Sequence, residues 1–231
     1  MKDFEELDPL FESKTIKPSF DYVHVILAIL LFGDNPEGLG RYRLKEELII
    51  GGGTAKSLVK KLKEEGGFIE VLVKNSNNKQ QIKSKGHVLT EKGLQILMKI
   101  KNKIPLLDEG DVSILKNFII DFEISKSYYC LVRGAADRLK SGIEQRDSAI
   151  RLGGLGATCL IYNGNELLFP SYSSGQENYG VKINDKVQLY FKTKLVNVNI
   201  SFEREDVIII GSGADIRKAR LAALNAALTL L

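Results

Sequence analysis

The sequence predicts an α+β chain in two parts: a helix-dominated N-terminal portion, then a layered α/β portion with a mixed sheet. Three observations carry that prediction. Residues 20–65 hold three apolar-periodic stretches separated by Gly-, Asn- and Pro-containing breaks. A β-rich pair with an Asn- and Lys-rich tip follows at 68–89. From Leu106-Leu107-Asp108-Glu109-Gly110 onward, short β-rich runs alternate with helical ones.

The stretch ending near Pro18 reads as a polar leader, 1–18. Phe20 to Phe32 has the length and apolar density of a buried helix and stops at Gly33-Asp34-Asn35-Pro36. A short second helix runs from Arg43 to Leu48, with Leu44 and Leu48 one turn apart, and is closed by Ile49-Ile50-Gly51-Gly52-Gly53. The third, Thr54 to Glu65, places Ala55, Leu58, Val59 and Leu62 on one stripe before Gly66-Gly67 stops it. Phe68 to Val73 and about Gln80 to Leu89 read as strands joined by Lys74-Asn75-Ser76-Asn77-Asn78-Lys79. Thr90 is suited to cap a helix from Glu91 to about Lys103, ended by Pro105. This order is that of a winged helix-turn-helix, assigned to 19–105.

The remainder, 106–231, is expected to form the α/β layers. Ser127 to Val132 reads as a strand, and Ser141 to Leu152 as a helix with Ile143, Ala149 and Ile150 inward. Ala157 to Phe169 reads as a hairpin broken at Asn163-Gly164. A Ser-, Gly-, Tyr- and Asn-rich loop covers 171–180, and Lys186 to Lys194 and Val196 to Phe202 read as strands. Val207 to Ile210 is a buried strand, followed by an Ala- and Leu-rich helix from Asp215 or Ile216 to Leu231. The small residues of that last helix permit close approach, either inside the domain or against a second chain.

Bulk properties narrow the function classes. The longest apolar run, Val23 to Phe32, is about half of the roughly 20 residues a membrane-spanning helix needs, so no membrane partner is expected. The acidic start lacks an apolar region behind it, which points away from secretion and toward the cytoplasm. Cys130 and Cys159 lie in strand-like apolar surroundings and read as core packing. His24 and His87, the two histidines, belong to no metal-spaced cluster, so neither metal nor cofactor is expected.

The net charge of +4 is unevenly spread: residues 1–53 carry −4, 54–103 carry +8, and 104–231 carry 0. Concentration of positive charge in fifty residues suggests a local polyanion-binding surface. On a helical wheel Lys56, Ser57 and Lys60 point away from the apolar stripe of the third helix, with Lys61 and Lys63 flanking them and Thr54 at its start. Lys74, Asn77, Asn78 and Lys79 on the β tip would add a second contact, and Arg41 and Arg43 stand near the start of the second helix. This is the layout of a recognition helix with a supporting wing on double-stranded DNA. Six phosphate contacts would give a slope of log K against log salt of roughly −5. The alternatives are a lysine face that is merely solvated, a winged helix that docks protein, and a small-molecule-binding enzyme fused to a winged helix. No Arg stands on the outer face of the third helix to make the bidentate guanine contact, so the operator is not readable.

Residues 40–48, 53–62 and Gly86-His87-Val88-Leu89-Thr90-Glu91-Lys92-Gly93 together resemble archaeal winged-helix regulators. The last segment is similar to the L-T-x-x-G entry to the helix after the wing. The glycine run at 51–53 departs from the Ser or Thr cap of many such proteins. Further on, Lys140-Ser141-Gly142-Ile143-Glu144-Gln145-Arg146-Asp147-Ser148-Ala149-Ile150 and Gly156-Ala157-Thr158-Cys159-Leu160-Ile161-Tyr162 resemble an uncharacterised archaeal family in which a winged helix precedes an α/β domain. The resemblance implies transcriptional regulation and names no ligand.

Catalysis is not expected. Gly51 to Ser57 looks superficially like a phosphate-binding loop, but it lacks a Gly immediately before Lys-Ser and a preceding strand. No Ser/His/Asp, Cys/His or paired-carboxylate constellation stands out. Gly211-Ser212-Gly213, between a strand and a helix, could hold an anionic effector, although Asp215 can cap the same terminus unaided. Arg146 and Asp147 are adjacent on a helix and so do not face one another, which leaves either as a pocket residue, although a surface or interdomain salt bridge is the favoured use. A homodimer is expected, because paired half-sites match paired recognition helices.

Overall fold

The computed structural model describes residues 2–12, 18–73, 84–119, 123–170 and 180–231. They form two compact units that divide between Ile100 and Lys101.

The first unit opens with a 3-10 helix, Lys2–Phe11, where a polar leader was expected. It is kinked at Phe4, and Phe4, Leu7 and Leu10 are all buried. Helices α1 (Tyr22–Gly33), α2 (Arg41–Glu47) and α3 (Gly52–Glu64) follow. The expected stripe of α3 is the buried one: Ala55, Leu58, Val59 and Leu62 all face the core. Strands β1 (Ile69–Val73) and β2 (Ser84–Leu89) pair antiparallel, Ile69 opposite Leu89 and Val71 opposite His87. The expected tip, including Lys74, Asn77, Asn78 and Lys79, lies outside the described residues.

Helix α4 (Glu91–Lys103) enters through a tight junction. The Thr90 hydroxyl donates to the Gly67 carbonyl at 2.7 Å and accepts from the Gly93 N–H at 3.1 Å. A Cβ on Gly93 would collide with the Phe68 carbonyl. The L-T-x-x-G pattern is thus a packing device: Thr caps and ties back, and Gly lets α4 lie on the backbone before β1.

At the start of α1, His24 Nδ1 accepts the Asp21 N–H at 3.0 Å, serving where a capping box usually places Glu or Gln. Only neutral imidazole can accept there. Burial holds His24 below its ordinary 6.5, against an opposing pull from Asp21. The unfolded chain therefore takes up the proton first, and stability present above pH 6.5 is lost as pH falls toward the folded value. Urea unfolding at pH 7.5 and pH 5.5 should show the loss, at most about 1.4 kcal/mol per pH unit for this group. His24→Gln should flatten the slope; an unchanged slope would remove His24 as its source.

The second unit is a five-stranded sheet in the order β3-β4-β7-β5-β6, formed by β3 (Leu106–Gly110), β4 (Lys126–Val132), β5 (Gly156–Tyr162), β6 (Leu167–Leu168) and β7 (Val207–Gly213). Every pairing is antiparallel, which corrects the expected mixed sheet. The strand-helix-strand order β4, α6 (Ile143–Arg151), β5 suggests parallel neighbours. Instead β7 inserts between them and runs opposite to both. The hairpin expected at 157–169 is present, its turn shaped by Gly164 at φ 102 and by Asn163 Oδ1, which accepts from the Asn165 and Glu166 N–H groups.

Helices α6 and α8 (Ile216–Leu228) cover one face of the sheet, and α5 (Val112–Leu115) and α7 (Asp185–Val196) cover the other. The α5/α7 side buries Leu106, Tyr129, Leu131, Leu160, Ile208 and Ile210 against Val187, Phe191 and Leu195. Two expected strands are corrected here. Residues 186–194 are helical, because Asn184 caps the Val187 N–H at 2.9 Å and Val187, Phe191 and Leu195 repeat every fourth residue. The misleading signal was the alternation Val187, Leu189, Phe191, of which Leu189 is 65% exposed. Residues 197–202 form no strand; turns with Asn199 at φ 57 and, further on, Glu205 at φ 73 lead into β7.

Of the three α6 residues expected inward, Ala149 is buried and the two isoleucines are not. Ile143 and Ile150 are 52% and 48% exposed, whereas Gln145, Ser148 and Ala149 are buried against α8. The contact is polar: Asn225 Nδ2 donates to the Ser148 carbonyl at 2.8 Å, and Gln145 Nε2 donates to Thr229 Oγ1 at 2.6 Å. The small residues of α8, from Ala219 to Ala227, are spent inside this unit.

Cys130 and Cys159 are buried, as expected, and flank Ile209 from opposite sides of β7. Two strand spacings separate them by roughly 9.5 Å, beyond disulfide reach. Burial pushes the Cys159 thiol up to about 12, so it carries no thiolate at neutral pH.

Candidate nucleic-acid interface

The candidate site is built on α2, α3 and β2. Helix α3 begins at Gly52, two residues before the expected start, with Gly51 as an N-cap that offers no side-chain bond. A Cβ on Gly51, Gly52 or Gly53 would meet no backbone, so the amide end of α3 is sterically open. The turn before it holds Ile49 at φ 54, an unusual conformation for a β-branched residue. Thr54 is turned to the rest of the unit, its hydroxyl 2.8 Å from that of Ser19.

Lys56, Ser57, Lys60 and Lys63 are exposed, as the helical wheel requires. Lys60 has a loose partner in Glu64 at 3.8 Å. Lys61 differs: it pairs with Glu65 at 2.7 Å, donates to the Glu12 carbonyl at 3.0 Å, and its side chain is 14% exposed. It buttresses the unit, and this corrects its expected place among the free cations. Arg43 donates to Asn35 Oδ1 at 3.1 Å and steadies the loop before α2.

A groove of about 620 Å³ brings together Arg41, Lys56, Lys60 and Lys63, with Tyr42 and His87. Arg41 lies 5.6 Å from the centre of the Tyr42 ring, itself 75% exposed. Sequence reasoning passed over Tyr42 and His87. The signal that could have found His87 is its neighbour Gly86, at φ 117, where a Cβ would stand 2.6 Å from the Leu39 backbone. That close approach lets the His87 N–H donate to the Leu39 carbonyl at 3.0 Å, with the return bond at 2.9 Å. His87 is thereby fixed beside the start of α2. Burial, then Lys63, then Arg41 hold its imidazole below the ordinary 6.5.

The expected effector residues do not form one site. Gly211, Ser212 and Gly213 are buried within β7 rather than in a loop, since a Cβ on either glycine would strike the α8 backbone. Asp215 caps α8 by accepting the Arg217 and Lys218 N–H groups, both at 3.0 Å. Arg146 and Asp147, expected not to pair, form an exposed ion pair at 2.8 Å because the long guanidinium bends to its neighbour. Among the described residues no cluster of three His, Cys, Asp or Glu side chains could hold a metal ion. No helix among them is long and apolar enough to cross a membrane.

Residues 124–230 match a domain of unknown function, DUF4443. That span contains the second unit's 140–150 and 156–162 segments. The chain also shares its fold with the hypothetical protein PH0730 from Pyrococcus horikoshii OT3, at a TM-score of 0.63 and 24% identity over 91% of this chain and 93% of that one. Both findings fit an uncharacterised archaeal family. No curated protein matches the chain.

Proposed function

We propose that the first unit is a winged helix-turn-helix that docks on double-stranded DNA, and that the chain is a transcriptional regulator whose second unit serves sensing or assembly. The observation that carries this reading is the convergence of Arg41, Lys56, Lys60 and Lys63 on one groove beside the open amide end of α3. Exposed lysines reach phosphates without large rearrangement, and each contact releases condensed counterions. Recognition would proceed with α3 against the major groove and α2 on the backbone, and the arrangement calls for no catalytic group.

The test is a gel-shift comparison of the full chain with Lys56→Ala/Lys60→Ala on mixed-sequence duplex. Loss of two phosphate contacts should weaken binding roughly 50-fold at 0.1 M salt and flatten the salt slope by about 2. Equal affinity would defeat the assignment. Complexes holding two protomers per duplex would support a homodimer.

A further inference from the structure

We infer that His87 is a phosphate-binding residue of this groove and that DNA binding is accompanied by proton uptake on its imidazole. The inference rests on the DNA-binding reading and names how that site is regulated. Three observations place it. His87 lines the groove, and its backbone is held there by the paired bonds to Leu39. Its Nδ1 is buried without a hydrogen-bond partner, so no donor holds it unprotonated in the way the Asp21 N–H holds that of His24. The charged groups that share the groove are Arg41 from α2 and Lys56, Lys60, Lys63 and Glu64 from α3. Val71, the register partner on β1, and Leu39 and Gly40 before α2 carry no charge.

Four cations against one carboxylate discourage a fifth positive charge while the groove is empty. A phosphodiester entering it reverses that balance, because its negative charge offsets the field of Arg41 and Lys63 at the imidazole. Protonated imidazole then joins the lysines as a donor to phosphate. Reciprocity requires that a ligand which promotes protonation be bound more tightly as pH falls. The phosphodiester itself does not titrate near neutrality, so the pH dependence belongs to the protein. Carboxylates and lysines change charge well outside this range. His24 acts in the opposite sense, since its protonation weakens the fold, and it does so equally in a His87 variant.

The experiment measures binding of the full chain to a fluorescent mixed-sequence duplex from pH 8 to pH 6 at fixed ionic strength, for wild type and His87→Gln. Wild-type affinity should rise across this range by about tenfold relative to the variant, within the limit of about a hundredfold that one proton sets over two pH units. Parallel pH profiles would overturn the inference and leave the DNA-binding reading intact. No binding at any pH would overturn both. Proton NMR of the wild-type imidazoles provides a check that does not depend on the variant's folding: the His87 titration should move upward on addition of duplex. An unmoved titration in the presence of bound duplex would overturn the inference.

Discussion

Gly93→Ala should cost the first unit about 3 kcal/mol or more, read as a fall in its urea midpoint. One methyl group is added, but it has nowhere to go: its carbon would overlap the Phe68 carbonyl oxygen, a backbone atom that cannot rotate aside. Relief requires α4 to back away, and that pulls on the Thr90 hydroxyl, which bonds both Gly67 and Gly93. Overpacking of this kind costs about 1–3 kcal/mol where side chains can yield, and more where backbone must move. Gly52→Ala is the control. That position is helical and sterically open, so the same methyl group should be neutral or add about 0.5 kcal/mol by restricting the unfolded chain. Equal losses at both sites would show that the junction is not the source.

Asp206→Ala should destabilise the second unit by about 3–5 kcal/mol. Asp206 is fully buried just before β7 and accepts the Arg133 guanidinium at 2.6 Å, the Glu203 N–H at 2.7 Å and the Gly134 N–H at 3.3 Å. It fastens the end of β4 to the start of β7. Removing it leaves two part-buried amides without this acceptor and takes from Arg133 its closest carboxylate partner, leaving Glu203 at 3.4 Å and the Ser201 carbonyl at 2.9 Å. Asp206→Asn, which retains volume and one acceptor, should lose less, and the ordering is checked by chemical denaturation. Burial holds this carboxyl above its ordinary 3.8, against the pull of Arg133. The folded state therefore takes up this proton first, and the linked stability grows as pH falls between the two values, opposite in sign to His24.

Much of the first unit was legible because local rules agreed with one another. The stripe Ala55, Leu58, Val59, Leu62 fixed both the buried face of α3 and, by subtraction, the outward direction of Lys56 and Lys60. The 3-10 helix of the leader was missed because a spacing of three among acidic residues does not resemble an α-helical stripe. In the second unit, α7 was misread because half-buried alternation and a four-residue repeat coexist in Val187–Leu195, and only the Asn184 cap separates them. The place of β7 between β4 and β5 had no local signature, since it depends on pairing across more than forty residues. The same holds for His87, which meets Arg41 and Lys63 through the fold rather than through sequence proximity.

The central place of β7 carries a consequence for synthesis of the chain. β4 and β5 each turn an edge toward this strand, which arrives next to last among the elements. A nascent polypeptide that has emerged only to residue 200 presents two unsatisfied rows of amides and carbonyls flanking an empty slot. Such edges recruit strands from other molecules, so translation pauses or premature stops ahead of Val207 would favour aggregation over delayed folding.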